Sequence, residues 1–432
     1  MTQAPVSARG GAHPGAGPAV RSDGRGPSRP AGAPEAAADR PQLRRRAGYV
    51  GGVHIGRLVL VEAVLFAIAA VLPRGPVVTG IAAALGLVVL LVALLRSRGR
   101  WWLERRAMSR EHDRRRRAAP DPSPEPDRRL VMLRTLAPGM LVREVTGATA
   151  EAPKIGIGCD AAGWYAAAVV GAETSMRGDA EPGVPLDLLA RVLDEAEHPG
   201  AVVQVTTVSV PAPWQRVDNN QFAARSYRDL QHLQPGPALP AERTTWVAVR
   251  LEARSRAEVG MAGSYDAEHA PALVGSLIRK VGRLLRDAGL EHRILTGDEL
   301  TDALTRACEL DPDAPGEAWR PQEEWTAWRS GELSHNVFWM RTWPRLENTS
   351  ALLEHLISLP SASSATSLVL TRDGEGLALR GLVRVSAPAA ALEPSARAVT
   401  EAATAAHAEL VRLDGEHGPG IYACAPTGGG AK

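Results

Sequence analysis

The chain has 432 residues and sets 50 lysine and arginine side chains against 48 aspartates and glutamates, a net charge of +2 at pH 7. A balance this even gives no electrostatic case for a nucleic-acid partner. The three cysteines, Cys159, Cys308 and Cys424, lie far apart without metal-ligand spacing, which argues against zinc or iron–sulfur chemistry and for reduced thiols.

Residues 1–46 are rich in Ala, Pro, Gly and Arg with few large apolar side chains, and are expected to be a disordered tail. A transmembrane helical hairpin is predicted over 55–97. Its apolar runs, Leu58–Leu72 and Val77–Leu95, flank the turn Pro73-Arg74-Gly75-Pro76. Leu58, Leu65 and Leu72 mark the first span, and Val77, Leu85 and Leu95 the second. The second run has no charge and reaches the roughly 20 residues that cross a bilayer. In the first, Glu62 sits a turn inside Arg57 and reads as a carboxylate snorkelling to the headgroups, with a proton relay or an interface contact as the other reading. A cleaved signal peptide would place its apolar stretch nearer the start and lack the stop-transfer run.

Arg44, Arg45, Arg46 and Arg57 precede the hairpin, and Arg98 and Arg100 follow it, while its turn holds only Arg74. This asymmetry predicts a multi-pass membrane protein with both termini cytoplasmic. Trp101 and Trp102 fall at the expected headgroup level. Residues 98–117 form a predicted basic juxtamembrane helix, whose arginines attract anionic lipids by about 1 kcal/mol each near a surface. The Pro/acid stretch 118–127 is an extended spacer.

Residues 128–425 are predicted to be a cytoplasmic α/β domain on a mixed sheet, and 426–432 a flexible tail; one domain or two is left open. Strands are expected at Leu141–Val145, Lys154–Asp160, Trp164–Val170, Ala201–Val210, Thr244–Glu252, Val337–Thr342, Ser367–Thr371 and Leu377–Val385. Helices are expected at Leu186–Glu195, Asn219–Leu233, Ala270–Ala288, Asp298–Cys308, Leu346–Leu359 and Glu393–Leu413. No internal repeat is evident.

Few motifs carry chemistry. Gly156-Ile157-Gly158 lacks the third glycine of a dinucleotide loop, and there is no Walker lysine loop or Gly-x-Ser-x-Gly elbow. His335 reads as a capping or core histidine. Asp311-Pro312-Asp313 superficially fits the acidic pair with which glycosyltransferases hold a metal and sugar nucleotide, but its Pro/Asp/Gly setting favours a turn. The tryptophans from Trp319 to Trp343 read as core and interface, with Trp325 and Trp328 at a candidate interface. No catalytic residue, metal site or cofactor is assigned.

Four segments together carry a family likeness: Arg44-Arg45-Arg46; Val53-His54-Ile55-Gly56-Arg57-Leu58 at the hairpin entrance; Arg98-Gly99-Arg100-Trp101-Trp102 at its exit; and Leu141-Val142-Arg143-Glu144-Val145 leading to Ile155-Gly156-Ile157-Gly158 and Gly163-Trp164-Tyr165. With the order of parts, they resemble the EccE component of the actinobacterial type VII (ESX) secretion machinery. The resemblance implies a non-ATPase scaffold of an inner-membrane complex, with a glycosyltransferase-like cytoplasmic fold and no established activity. It implies as partners a multi-spanning channel-type subunit, a ubiquitin-like-domain subunit and an FtsK/SpoIIIE-type ATPase. The alternative from the residues is a membrane-tethered glycosyltransferase-like enzyme using Asp311 and Asp313.

Overall fold

The computed structural model describes residues 49–50, 53–71, 73, 75–94, 96–97, 100–117, 127–146, 153–171, 183–194, 200–211, 241–253, 269–313, 320–373 and 376–430. The tail 1–46, nearly all of the 118–127 spacer and the helix expected at Asn219–Leu233 lie outside them. Helices α1 (Ile55–Val71) and α2 (Pro76–Leu94) occupy the expected hairpin, with Gly75 at φ +106° in its turn. They pack through Gly86, where a Cβ would stand 2.8 Å from Val64 and 3.1 Å from Ile68. Leu65, Phe66, Val77 and Leu85 point outward, 59–75 % exposed. Among the described residues no helix is long and apolar enough to cross a membrane; the side-chain description of α2 ends at Leu90. Helix α3 (Trp102–Arg117) follows in contact with α2. Helix α4 (Arg128–Leu136) is N-capped by Asp127, and its Arg129 ties it to Asp298 and Asp302, each at 2.6 Å.

Among the described residues, the chain beyond α4 builds one twelve-stranded sheet. Its first half runs β1 (Leu141–Val145), β2 (Ile155–Asp160), β3 (Gly163–Val170), α5 (Leu186–Asp194), β4 (Ala201–Pro211), β5 (Ala241–Glu252), α6 (Ala270–Asp287), β6 (His292–Ile294) and α7 (Gly297–Ala307). Its second runs β7 (Gln322–Glu323), β8 (Trp328–Ser330), β9 (Leu333–Thr342), α8 (Leu346–Ser358), β10 (Ser363–Asp373), β11 (Gly376–Pro388), α9 (Ala389–Ala405), β12 (Glu409–Arg412) and α10 (His417–Cys424).

The spatial order is β1-β2-β3-β5-β4-β10-β11-β9-β8-β7, with β6 added to β3 and β12 to β9. It is a palindrome: the two halves repeat one topology and meet where β4 pairs with β10. The sequence hides this repeat except in traces, such as Ala270-Pro271-Ala272 and Ala387-Pro388-Ala389 at the starts of α6 and α9.

Every described pairing in this sheet is antiparallel, so the expected mixed sheet is corrected. The helical crossovers exist, but they are split. The chain passes from β3 through α5 to β4 and leaves a gap that β5 fills; β9, α8, β10 and β11 do the same. The glycosyltransferase-like expectation finds no support in this topology, because nucleotide-binding doubly wound folds rest on adjacent parallel strands. Two local expectations also change. The helix expected over Glu393–Leu413 ends at Ala405, His407 turns at φ +60°, and Glu409–Arg412 returns as a strand beside β9. The expected flexible tail is buried through Gly430.

Helices α5 and α6 cover one face of the first half, and α8 and α9 cover the same face of the second, over the apolar clusters around Val203, Val249 and Ile278 and around Met340, Val383 and Val399. The opposite face carries α4, α7 and α10 over Met132, Tyr165, Leu304, Val337 and Ile421. On that face two fully buried arginines hold the halves together. Arg250 of β5 donates to the Thr427 carbonyl beyond α10 at 2.7 Å and pairs with Asp160, whose other oxygen accepts from the Tyr422 hydroxyl at 2.9 Å. Arg384 of β11 donates to the Ala307 carbonyl at the end of α7 and pairs with Glu309 at 2.9 Å. Each half's arginine thus grips the end of the other half's closing helix.

At the seam, the Gln204 amide donates to the Ser367 hydroxyl and the Ala423 carbonyl, and its oxygen accepts from the Gly428 and Gly429 amides at 2.7 and 3.0 Å. Gly428, Gly429 and Gly430 all have positive φ, and a Cβ on Gly428 would stand 2.3 Å from the Cβ of Arg250. Glycine is what lets the tail enter the core. Removing one partner of a buried ion pair strands the other charge. Arg384→Met is therefore expected to lower the stability of the full chain in mild detergent by about 3–5 kcal/mol, read from urea unfolding, with partial recovery when combined with Glu309→Gln.

Candidate functional site

The surface with the most specific polar architecture is where helix α3 docks on the sheet edge. Helical spacing puts His112 and Arg115 on one side of α3. His112 is buried and meets the Trp325 ring edge-on, with centroids 5.5 Å apart and planes at 85°. The Arg115 guanidinium makes a two-pronged contact with Glu323 on edge strand β7, at 3.1 and 3.2 Å, and also donates to the Gly415 carbonyl at 2.6 Å. The Glu323 side chain is only 7 % exposed and the Arg115 side chain 26 %, so the pair is shielded from solvent but not sealed.

Glu323 has a second task. Its carboxylate accepts from the Gly418 amide at 3.2 Å in the first turn of α10, where a helix presents unsatisfied N–H groups and a partial positive charge. One carboxylate therefore ties the helix leaving the hairpin to the closing helix of the domain. The Trp325 ring completes the contact by lying on Gly415 (φ +78°), where a Cβ would come within 2.6 Å. The first half repeats the motif: Glu144 on edge strand β1 accepts from the Gly297 amide in the first turn of α7 at 3.4 Å. There the second partner is Lys154 at 3.0 Å, which with the Gly297 amide holds the Glu144 carboxyl below its ordinary range.

The sequence-derived candidates scatter over the molecule. Trp328 is buried beside Gly418, and Trp325 meets α3, so the interface these two serve lies within the chain. Glu62 is exposed on α1, as are Leu65, Val77 and Leu85 of the hairpin. Arg57, Leu58, Arg100, Trp101 and Trp102 lie in backbone elements whose side chains are not described; Arg44, Arg45, Arg46, Leu72, Leu95, Arg98 and Trp319 lie outside the described residues.

Asp311 and Asp313 form a turn in which the Asp311 carboxylate accepts from the Asp313 amide at 3.1 Å. Among the described residues no group of three or more His, Cys, Asp or Glu is placed to hold a metal ion. Gly156 and Gly158 are packing glycines: a Cβ would come within 2.4 Å of the Thr296 carbonyl and 2.2 Å of the Tyr165 ring respectively.

His335 is fully buried, with Nδ1 2.8 Å from the Ser386 hydroxyl and near Glu309. Burial pushes its pKa down to about 4. Burial also works to raise the Glu309 carboxyl, but Arg384, His335 and the hydroxyls of Ser363 and Ser386 outweigh it and hold that pKa below the ordinary value. Glu309 pays for this placement with a left-handed backbone, φ +53°, just past α7 where glycine is usual.

Residues 239–340 match the family described as "Putative type VII ESX secretion system translocon, EccE", the family that the sequence resembles. The matched stretch runs from β5 to near the end of β9 and contains Arg250, Glu309, Glu323 and Trp325. No curated protein matches the chain.

Two outcomes follow from this geometry. Arg115→Ala leaves Glu323 without its guanidinium and is expected to cost about 1.5–3 kcal/mol at the α3 dock. Faster hydrogen exchange across 106–117 and a changed near-ultraviolet tryptophan signal would register it; unchanged exchange would remove the dock. Because the folded pKa of His335 lies below its unfolded value, the unfolded chain binds the extra proton as pH falls from about 6.5 toward 4. Stability is expected to drop across that window by up to about 3 kcal/mol, with a shallower slope in His335→Gln measured by urea midpoints.

Proposed function

We propose, from the premise that residues 239–340 carry the EccE family match, that this chain is a structural, non-ATPase subunit of a type VII protein-secretion complex in the cytoplasmic membrane. That match is the observation that carries the reading. The hairpin is its membrane anchor. Helix α2 has nineteen residues and no charge, about 28 Å at 1.5 Å per residue, close to the roughly 30 Å of bilayer hydrocarbon. The outward Leu65, Phe66, Val77 and Leu85 are what a helix pair presents to lipid, and such an apolar surface needs cover in water. Arginine on both flanks, with a short turn between the helices, orients both termini to the cytoplasm.

The folded region (128–425 with the tail to Gly430) stands on the cytoplasmic side as a rigid platform. Its partners are the other membrane subunits of the complex: the channel-type subunit, the ubiquitin-like-domain subunit and the FtsK/SpoIIIE-type motor. The chain's role is to stabilise their assembly. The absence of a Walker loop and a nucleophile elbow from the sequence, with Asp311 and Asp313 engaged in a turn, supports a scaffold over a catalyst.

Mild-detergent extraction from cells expressing the whole secretion gene set, followed by native electrophoresis, is expected to find the chain in a large assembly. Recovery only as a free monomer would overturn the subunit role. Reporter fusions placing the carboxyl end outside, or release by carbonate washing, would overturn the anchor.

A further inference from the structure

The docking of α3 fixes more than an internal contact. With His112 buried and Arg115 held by Glu323 and Gly415, rotation of α3 about its axis is set. The opposite side then carries Arg110, Arg114 and Arg117, at spacings of four and three residues, which puts them in one row. All three are exposed, and with Asp113 they line an open depression of about 510 Å³. Within this row Arg114 is paired with Glu111 at 2.7 Å. Three guanidinium groups against Asp113 and the Glu111 carboxylate paired with Arg114 leave the depression net positive. The row belongs to the helix that follows the apolar hairpin and contacts its second helix.

We infer that the outer row of α3, Arg110, Arg114 and Arg117, is a docking surface for anionic phospholipid headgroups. This rests on the hairpin anchor proposed above and names the lipid class that the anchor meets. Guanidinium forks match phosphate oxygens in pairs, so the surface selects phosphate diesters carrying net negative charge over zwitterionic headgroups, where a choline opposes the phosphate. Attraction falls with added salt, because the row is exposed. The same helix reads lipid with one side and grips the domain with the other, so headgroup binding holds the sheet platform at a fixed angle to the membrane.

The test uses the full chain in non-ionic detergent, titrated with dihexanoyl-phosphatidylglycerol, dihexanoyl-phosphatidylcholine or inorganic phosphate, with bound ligand counted by native mass spectrometry. Phosphatidylglycerol is expected to bind at least about tenfold more tightly than phosphatidylcholine, and inorganic phosphate to leave no adduct. The triple variant Arg110→Gln, Arg114→Gln, Arg117→Gln is expected to lose that preference while keeping its near-ultraviolet tryptophan signal, which reports the Trp325–His112 contact. Arg372→Gln, a distant exposed arginine paired with Asp194, is expected to keep it. Equal binding of the two lipids, or phosphatidylglycerol retained by the triple variant, overturns the surface; phosphate binding as tight as lipid makes it a free-anion site instead. Carbonate release of the chain from membranes, with lipid preference intact, would sink the anchor and spare the surface.

Discussion

Two arginines removed wholly from water set the terms for the rest of this fold. A guanidinium so deep in a protein needs a matching charge and hydrogen bonds that offset its desolvation. Asp160 and Glu309 supply the charge, and backbone carbonyls at Thr427 and Ala307 take further hydrogen bonds. Those carbonyls belong to the ends of the closing helices, so meeting each arginine's needs also fixes where a helix of the opposite half must stop. The halves cannot slide past one another without uncovering a buried charge. This explains the odd local choices nearby: a left-handed glutamate beyond α7 and the left-handed Gly428 pressed against Arg250.

The same economy appears at the sheet edges. In each half a glutamate on the outermost strand caps the first turn of the closing helix, Glu144 toward Gly297 and Glu323 toward Gly418. An edge strand is where unpaired backbone invites unwanted pairing, and a charged side chain directed at a helix end gives it a defined use. The halves diverge in who shares the carboxylate. Lys154 does so from within the first half, whereas Arg115 comes from α3, outside the repeat altogether. That divergence converts a packing motif into a link between the helix that follows the hairpin and the domain, and it fixes the rotation of α3 and hence the direction of its outer arginine row.

Much of the layout could be read along the chain. Alternating β-branched runs such as Ala201–Val210 and the amphipathic helix at Ala270–Ala288 stand nearly where expected, because burial on one face imposes a two- or 3.6-residue period on the residues themselves. The motifs flanking the hairpin and opening the sheet resemble the same family that residues 239–340 match, though none of them lies in that stretch. What misled was meaning at a distance. The alanine-rich run from Glu393 reads as one helix to Leu413, yet Leu410 and Val411 are taken into the sheet by β9, a partner about 70 residues away. Gly428, Gly429 and Gly430 look like a fraying end, since nothing local says that Gln204 and Arg250 await them. Trp325 stands out within its tryptophan-rich stretch, but its partner His112 does not, for the two sit on opposite sides of a linker.

The sequence by itself determined the apolar hairpin, its arginine flanks, the α/β content and the want of nucleotide-loop or nucleophile motifs, because each is written in neighbouring residues whose character does not depend on what they later touch. Only the tertiary structure decided that the sheet is antiparallel, that its two halves repeat one plan, and which arginines of α3 face the domain or turn outward. Strand pairing, the burial of a charge and the rotation of a helix are set by contacts between segments tens to hundreds of residues apart, and no local period records them.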